Sequence, residues 1–263
     1  MNHTPRKRFG QHFLHDPAAQ RRIVAAVDPR PGEALIEIGP GLGALTRHLL
    51  PRAGRLEVIE LDRDVIPQLR ERCAGLGELV VHAQDVLRFD FCPPPPGQRW
   101  RVIGNLPYNI STPLLFHLAA QAHCLQDLTV MLQREVAQRI AAAPSGAEYG
   151  RLSVMLAWHF RHELLFDLGP GAFQPPPKVW SSVLRLVPHT RPPAALDDPA
   201  WLGRVVTAAF GQRRKTLRNA LAPLLDAPAI AAAAVDPGAR AETLDLAAFA
   251  RLANAARRAA GAC

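Results

Sequence analysis

Short apolar runs alternate with helix-length segments through the first half of the chain, and this alternation constrains the fold more than any other feature. Runs at 34–38, 56–61, 79–83, 101–104 and 128–132 have the length and composition of strands. Helical patterns at 18–27, 44–50, 65–73, 112–122 and 135–142 fall around and between them. A helix between two strands carries the chain back across the sheet, so the next strand runs parallel to the last. We therefore expect an α/β fold with a mostly parallel sheet, helices on both faces and function at the carboxyl ends of the strands.

Past residue 150 the pattern changes. Apolar runs at 163–168 and 183–187 are separated by a proline-rich stretch with no helix between them, which predicts an antiparallel edge hairpin. Residues 188–199 carry four prolines and the pair Asp197-Asp198 and read as a linker. From Trp201 the chain is rich in Ala, Leu and Arg with helical periodicity. The expected division is a catalytic domain over 1–190, with a basic N-terminal arm, and a small all-helical domain over 191–263.

Charge follows the same division. The formal net charge is +8, yet residues 31–199 carry sixteen basic and seventeen acidic side chains. Residues 1–30 carry six and two, and residues 200–263 nine and four. A near-neutral body between two basic ends predicts a polyanion held from its flanks, with Arg6, Lys7, Arg8, Arg213, Arg214, Lys215 and Arg218 contacting phosphates. Arginine so outnumbers lysine that genome composition contributes to the total, but composition does not explain the clustering.

The first strand ends in Glu37-Ile38-Gly39-Pro40-Gly41-Leu42-Gly43-Ala44. Gly39 and Gly41 suit a turn too tight for a Cβ, where a ligand approaches backbone. Glu60 closes the second strand, where a carboxylate can accept hydrogen bonds from two ribose hydroxyls. Asp85 follows the third strand, placed to accept from an exocyclic amine or to cap a helix. Together they predict an adenosine-containing ligand. The same glycines satisfy the dinucleotide fingerprint, so a nicotinamide dehydrogenase is an alternative, disfavoured because no hydride-transfer site is evident.

The fourth strand ends in Gly104-Asn105-Leu106-Pro107-Tyr108-Asn109-Ile110-Ser111-Thr112. An amide, a proline and an aromatic at a strand end suit a planar amino group. The Asn105 carbonyl and a backbone carbonyl of Leu106 or Pro107 can accept both hydrogens of an aryl-NH2, while Tyr108 stacks on its ring. Directing both N–H bonds at acceptors favours a pyramidal nitrogen and aims its lone pair at an electrophile, so positioning replaces a strong base.

These motifs closely resemble those of the ribosomal small-subunit adenine dimethyltransferases. The matching stretches are 8–14 (Arg-Phe-Gly-Gln-His-Phe-Leu), 37–42, 58–62, 104–112, 149–153 (Tyr-Gly-Arg-Leu-Ser), 173–178 and 210–219, spanning nearly the whole chain. The resemblance implies a Rossmann-like S-adenosylmethionine-dependent methyltransferase fold that dimethylates N6 of two adjacent adenines near the 3′ end of small-subunit rRNA. It implies cofactor contacts from His12, Leu14, Gly39, Glu60, Asp85 and Asn105, with Gly41 in the same turn. It also implies a target-amine site at Asn105, Leu106, Pro107 and Tyr108, with Phe173 as a second stacking surface for a flipped adenine, and a role in assembly of the small subunit. The family usually has asparagine where this chain has His12.

Cys73, Cys92, Cys124 and Cys263 lack C-x-x-C spacing, so neither a disulfide framework nor a metal site is expected, and the scattered histidines read as surface or core residues. No signal peptide or membrane span is evident. The expectation is a reduced cytoplasmic monomer acting on the immature small ribosomal subunit. Competing expectations are the related large-subunit rRNA adenine methyltransferase and a non-catalytic RNA-binding assembly factor. Neither G-x-S-x-G nor a Walker A pattern occurs.

Overall fold

The computed structural model describes residues 12–212 and 214–261. In chain order the elements are β1 (Phe13–Leu14), α1 (Pro17–Val27), β2 (Leu35–Ile38), α2 (Thr46–Ala53), β3 (Arg55–Ile59), α3 (Ile66–Arg72), β4 (Glu78–His82), β5 (Trp100–Asn105), α4 (Ser111–Ala120), β6 (Leu125–Gln133) and α5 (Arg134–Ala141). There follow α6 (Arg151–His159), β7 (Phe160–Leu168), β8 (Phe173–Gln174), β9 (Ser181–Pro188), α7 (Pro199–Gly211), α8 (Leu217–Ala220), α9 (Ala227–Ala232) and α10 (Leu246–Gly261). Among the described residues, no helix is long and apolar enough to cross a membrane.

The chain forms two compact units, residues 12–137 with 162–188 and residues 138–161 with 189–261. The first holds a seven-stranded sheet in the order β4-β3-β2-β5-β6-β9-β7. Strands β4, β3, β2, β5 and β6 run parallel, and β9 pairs antiparallel with β6. The hairpin expected at the edge is present, with β9 on the inside and β7 outermost. Every residue of β2 is buried, the signature of a parallel strand covered on both faces. Local signals set the boundaries as usual: Asp16 accepts from the Ala18 N–H at 2.8 Å and Pro17 opens α1.

A second, two-stranded sheet joins β1 to β8, with Leu14 opposite Phe173. Two-residue strands leave no periodicity to read, so the sequence did not announce it. It lays the residues just before α1 against the loop that precedes β9.

The second unit takes in more chain than residues 191–263. Tyr149 and Val154 share a core with Leu202, Val205, Leu217, Phe249 and Leu252. The Tyr149 hydroxyl donates to the Leu244 carbonyl at 2.8 Å, and burial pushes its pKa up to about 12. Ser153 Oγ accepts from the Gly150 N–H at 3.0 Å and donates to the Arg139 carbonyl at 2.5 Å. The family-like stretch 149–153 therefore builds the helical unit.

One sequence expectation is overturned. Cys92 and Cys124 are joined by a disulfide, their Cα atoms 5.8 Å apart and 32 residues apart in sequence. No spacing motif encodes the pair, because it depends on where the segment after β4 and the segment after α4 meet.

Candidate cofactor and target-base site

A cavity opens at the carboxyl ends of β2, β3, β4 and β5. Its walls include His12, Leu14, Gly39, Gly41, Glu60, Asp85 and Asn105, all seven of the residues expected at the cofactor, together with Leu106, Pro107 and Tyr108. Each sits at or just beyond the carboxyl end of a strand, or on or beside β1, which explains how residues far apart in sequence share one wall.

The glycines are required by geometry. Gly41 has φ +53°, and a Cβ there would lie 2.9 Å from the Phe13 ring. Gly39 has φ +65°, a region that favours glycine. Gly104 solves a different problem: its Cβ would lie 2.7 Å from the Ile38 carbonyl oxygen, so the lack of a side chain lets β5 approach β2 and sets Asn105 beside the glycine turn.

Glu60 is buried and accepts from the Gly41 N–H at 3.1 Å and the Asp62 N–H at 2.8 Å, so it braces the turn. Burial raises its pKa, the backbone bonds oppose the rise, and Asp62 adds to it. Glu37 opens the same motif. It is buried, lines the cavity, and accepts from Thr46 Oγ1 at 2.7 Å. Burial lifts its pKa to about 7, with Glu60 adding to the rise. Two buried acids without a bonded cation among the described residues make this cavity receptive to a cationic ligand. Asp85 accepts from the Leu87 N–H at 2.9 Å, so it caps a turn while lining the cavity.

Asn105 Nδ2 donates to the His12 carbonyl at 2.9 Å. With the NH2 end committed to the chain, the carbonyl oxygen is the end left to accept from a ligand. The His12 imidazole meets the Pro175 carbonyl at 2.8 Å, and its centroid lies 5.6 Å from that of Tyr108. Position 12 thus serves Asn105 through its backbone, where a change of side chain matters least. Tyr108 hydroxyl and Ser181 Oγ are 2.6 Å apart, and Ser181 is fully buried at the start of β9. Burial raises the Tyr108 pKa, so the phenol remains neutral and its ring is held by its far end.

Comparison with known proteins fixes the family. The model of the ribosomal RNA adenine dimethylases matches residues 2–258. The chain is 54% identical to ribosomal RNA small subunit methyltransferase A of Pseudomonas aeruginosa, over 96% of this chain and 94% of that one. It is 56% identical to the protein of that name from Methylococcus capsulatus, over 94% and 96%. The chain belongs to the ribosomal RNA adenine dimethylase family. Among solved structures, a dimethyladenosine transferase from Plasmodium falciparum shares the fold with TM-score 0.79 at 24% identity, covering 92% of this chain and 96% of that one. The 23S rRNA methyltransferase ErmE aligns with TM-score 0.71 at 26% identity, covering 93% and 99%.

In this adenine dimethylase, Phe173 departs from expectation. Its ring is 1% exposed, packed in the core with Leu14 and Leu168, and does not line the cavity. As arranged here it offers no face to a base; pairing of β8 with β1 has turned it inward, and it supports the wall that carries Leu14. Of the basic candidates, Arg6, Lys7, Arg8 and Arg213 lie outside the described residues. Arg214, Lys215 and Arg218 are exposed around the start of α8, with no ion pair to any described residue. Sequence reasoning missed Ser181, 73 residues from the Tyr108 it anchors.

Proposed function

We propose that the protein transfers methyl groups from S-adenosylmethionine to N6 of two adjacent adenines near the 3′ end of small-subunit rRNA. It acts as a cytoplasmic monomer on the immature small ribosomal subunit. The observation that carries this reading is Asn105. Its amide is anchored by the NH2 end, and it stands next to a neutral, tethered Tyr108 in the cavity that buries Glu37 and Glu60.

The cavity fits the cofactor by its donor set. Gly41 leaves room that a Cβ would fill, and buried acids suit a ligand that carries positive charge. Glu60 would hold the ribose hydroxyls and Asp85 the adenine amine. Gly39, Gly41, Leu14 and the backbone of His12 would complete the contacts. When bound, S-adenosylmethionine supplies the methyl group as an electrophilic sulfonium substituent.

The chain's own residues orient the nucleophile. Asn105 Oδ1 accepts one N–H of the target amine and a carbonyl of Leu106 or Pro107 accepts the other, which turns the nitrogen lone pair away from both. Tyr108 stacks on the extruded base, selecting adenines that can leave a helix. Basic side chains from residues 1–30 and from around α8 hold the phosphates.

The test is transfer of labelled methyl groups into immature small subunits from unmethylated cells, with large subunits in parallel and the modified base identified. We expect N6,N6-dimethyladenine in the small subunit alone. Label confined to the large subunit would transfer the assignment to the activity named for ErmE, and rRNA binding without methyl transfer would make the protein a non-catalytic factor.

A further inference from the structure

Away from the cofactor cavity, Cys92, His123 and Cys124 form a cluster. Their three ligating atoms lie within 4.8 Å of one another, and His123 Nε2 is 3.5 Å from Cys92 Sγ. Cys92 is half-buried, His123 is exposed and Cys124 is 5% exposed. The two sulfurs therefore differ in access, and the accessible one has a proton acceptor beside it.

The segments carrying the sulfurs are held together without the S–S bond. The Phe91 N–H donates to Gln121 Oε1 at 2.7 Å, and the Phe89 carbonyl meets His117 Nε2 at 2.8 Å. Trp100 Nε1 donates to the Phe91 carbonyl at 3.1 Å, and the Phe91 ring is fully buried against Phe89, centroids 4.8 Å apart. Opening the disulfide leaves these bonds in place, so the sulfurs stay face to face and the bond can close again. Cys73 is the internal contrast. It is buried in the core, and burial pushes its thiol up.

We infer that Cys92, Cys124 and His123 form a thiol–disulfide exchange site whose co-substrates are low-molecular-weight disulfides and thiols. Cys92 passes its proton to His123 Nε2, and the thiolate attacks one sulfur of the disulfide RSSR. A Cys92–S–SR bond forms as RS⁻ leaves. His123 gives its proton to that RS⁻ and takes the proton of Cys124; the Cys124 thiolate attacks the Cys92 sulfur, the intramolecular bond forms and the second RS⁻ leaves to be protonated in turn by His123. The protein gives up two electrons and two protons, and RSSR becomes two RSH. In the reverse direction RSH enters at Cys92, the more accessible end. A metal ion is the weaker reading, because the described residues supply three ligands where a closed thiolate site takes four.

The test uses the full chain in a Cys263→Ser background, reduced and then exposed to glutathione disulfide, with adducts located by peptide mapping. The reduced protein should close the Cys92–Cys124 bond without modification of Cys73. Cys124→Ser should trap glutathione on Cys92, while Cys92→Ser should be modified at Cys124 at least about tenfold more slowly, since thiol access and a neighbouring base govern exchange. Adding His123→Ala to Cys124→Ser should slow capture about fivefold, the loss of a local proton acceptor. Methyl transfer by each variant reports that it has folded. Equal capture at both cysteines, no capture at Cys92, or stoichiometric zinc retained by the reduced protein and lost in Cys92→Ser would each overturn the inference.

Discussion

At the amino end of the sheet, Asp127 is buried between two guanidiniums: Arg101 Nε donates to it at 2.9 Å and Arg185 at 2.7 Å. Arg101 reaches on to Glu33 at 2.6 Å and to the Val27 carbonyl at 2.6 Å. Burial alone would lower the Arg101 pKa, yet its bonds to Asp127 and Glu33 outweigh that and hold it above the ordinary value. At the carboxyl end Glu37 and Glu60 are also buried, but what they accept comes from a hydroxyl and from backbone N–H groups, and burial raises both pKa values. Burial is common to both ends; what differs is the partner. Acids paired with cations within the chain serve the fold, whereas acids left without a cation beside a cavity are available to a ligand.

The largest effect expected at the structural end is from Asp127→Ala. It removes the carboxylate that two guanidiniums share, leaving Arg101 with Glu33 and Arg185 without its buried partner, and should lower the free energy of unfolding in urea by about 3 kcal/mol while leaving cofactor affinity of the folded protein unchanged. A loss below about 1 kcal/mol would erase the distinction between the two ends. Asn105→Ala should act in the opposite sense. Turnover should fall about 10²–10³-fold, the scale of removing one aimed hydrogen-bonding group, with unfolding free energy and rRNA affinity nearly unchanged. Equal loss of turnover and rRNA affinity would refute its assigned role.

Glu37→Gln sharpens the comparison through pH. A carboxyl whose folded pKa is about 7, raised from 4.5, favours the folded state most below pH 4.5 and loses that contribution as pH rises to 7. Glutamine keeps an acceptor for Thr46 and does not ionise. The variant should therefore match the parent in acid and exceed it by about 1–3 kcal/mol above neutrality in the cofactor-free protein, read by urea unfolding across this range. An advantage independent of pH would show that Glu37 does not titrate in this window. The smallest effect on the fold should come from neutralising the exposed Arg214, Lys215 and Arg218 together. Stability should move by no more than about 0.5 kcal/mol, as for surface charges generally. In a salt titration, rRNA affinity and its salt slope should both fall, with S-adenosylmethionine affinity constant.

The parts of the site readable in advance are those written within one strand end. Gly39, Gly41 and Glu60 announce themselves because a βα turn and its following residues are local in sequence, and Asn105 to Tyr108 carry their chemistry in consecutive positions. The packing of Phe173 is not legible for the opposite reason: whether an aromatic faces a cavity or a core depends on the partner strand, here β1, nearly the whole unit away in sequence. The acidity of Glu37 was likewise invisible, since it comes from burial and from Glu60 rather than from its neighbours in the motif.

By itself the sequence determined the alternating α/β architecture, the glycine turn and the Asn105–Tyr108 segment at the end of β5, because helix and strand periods and glycine's permitted backbone angles are properties of short segments. Only the tertiary structure decided that the His12 carbonyl holds Asn105 across 93 residues, that Ser181 tethers Tyr108, and that Cys92 meets Cys124. Those pairings depend on which surfaces exclude water together, and burial is a property of the assembled chain.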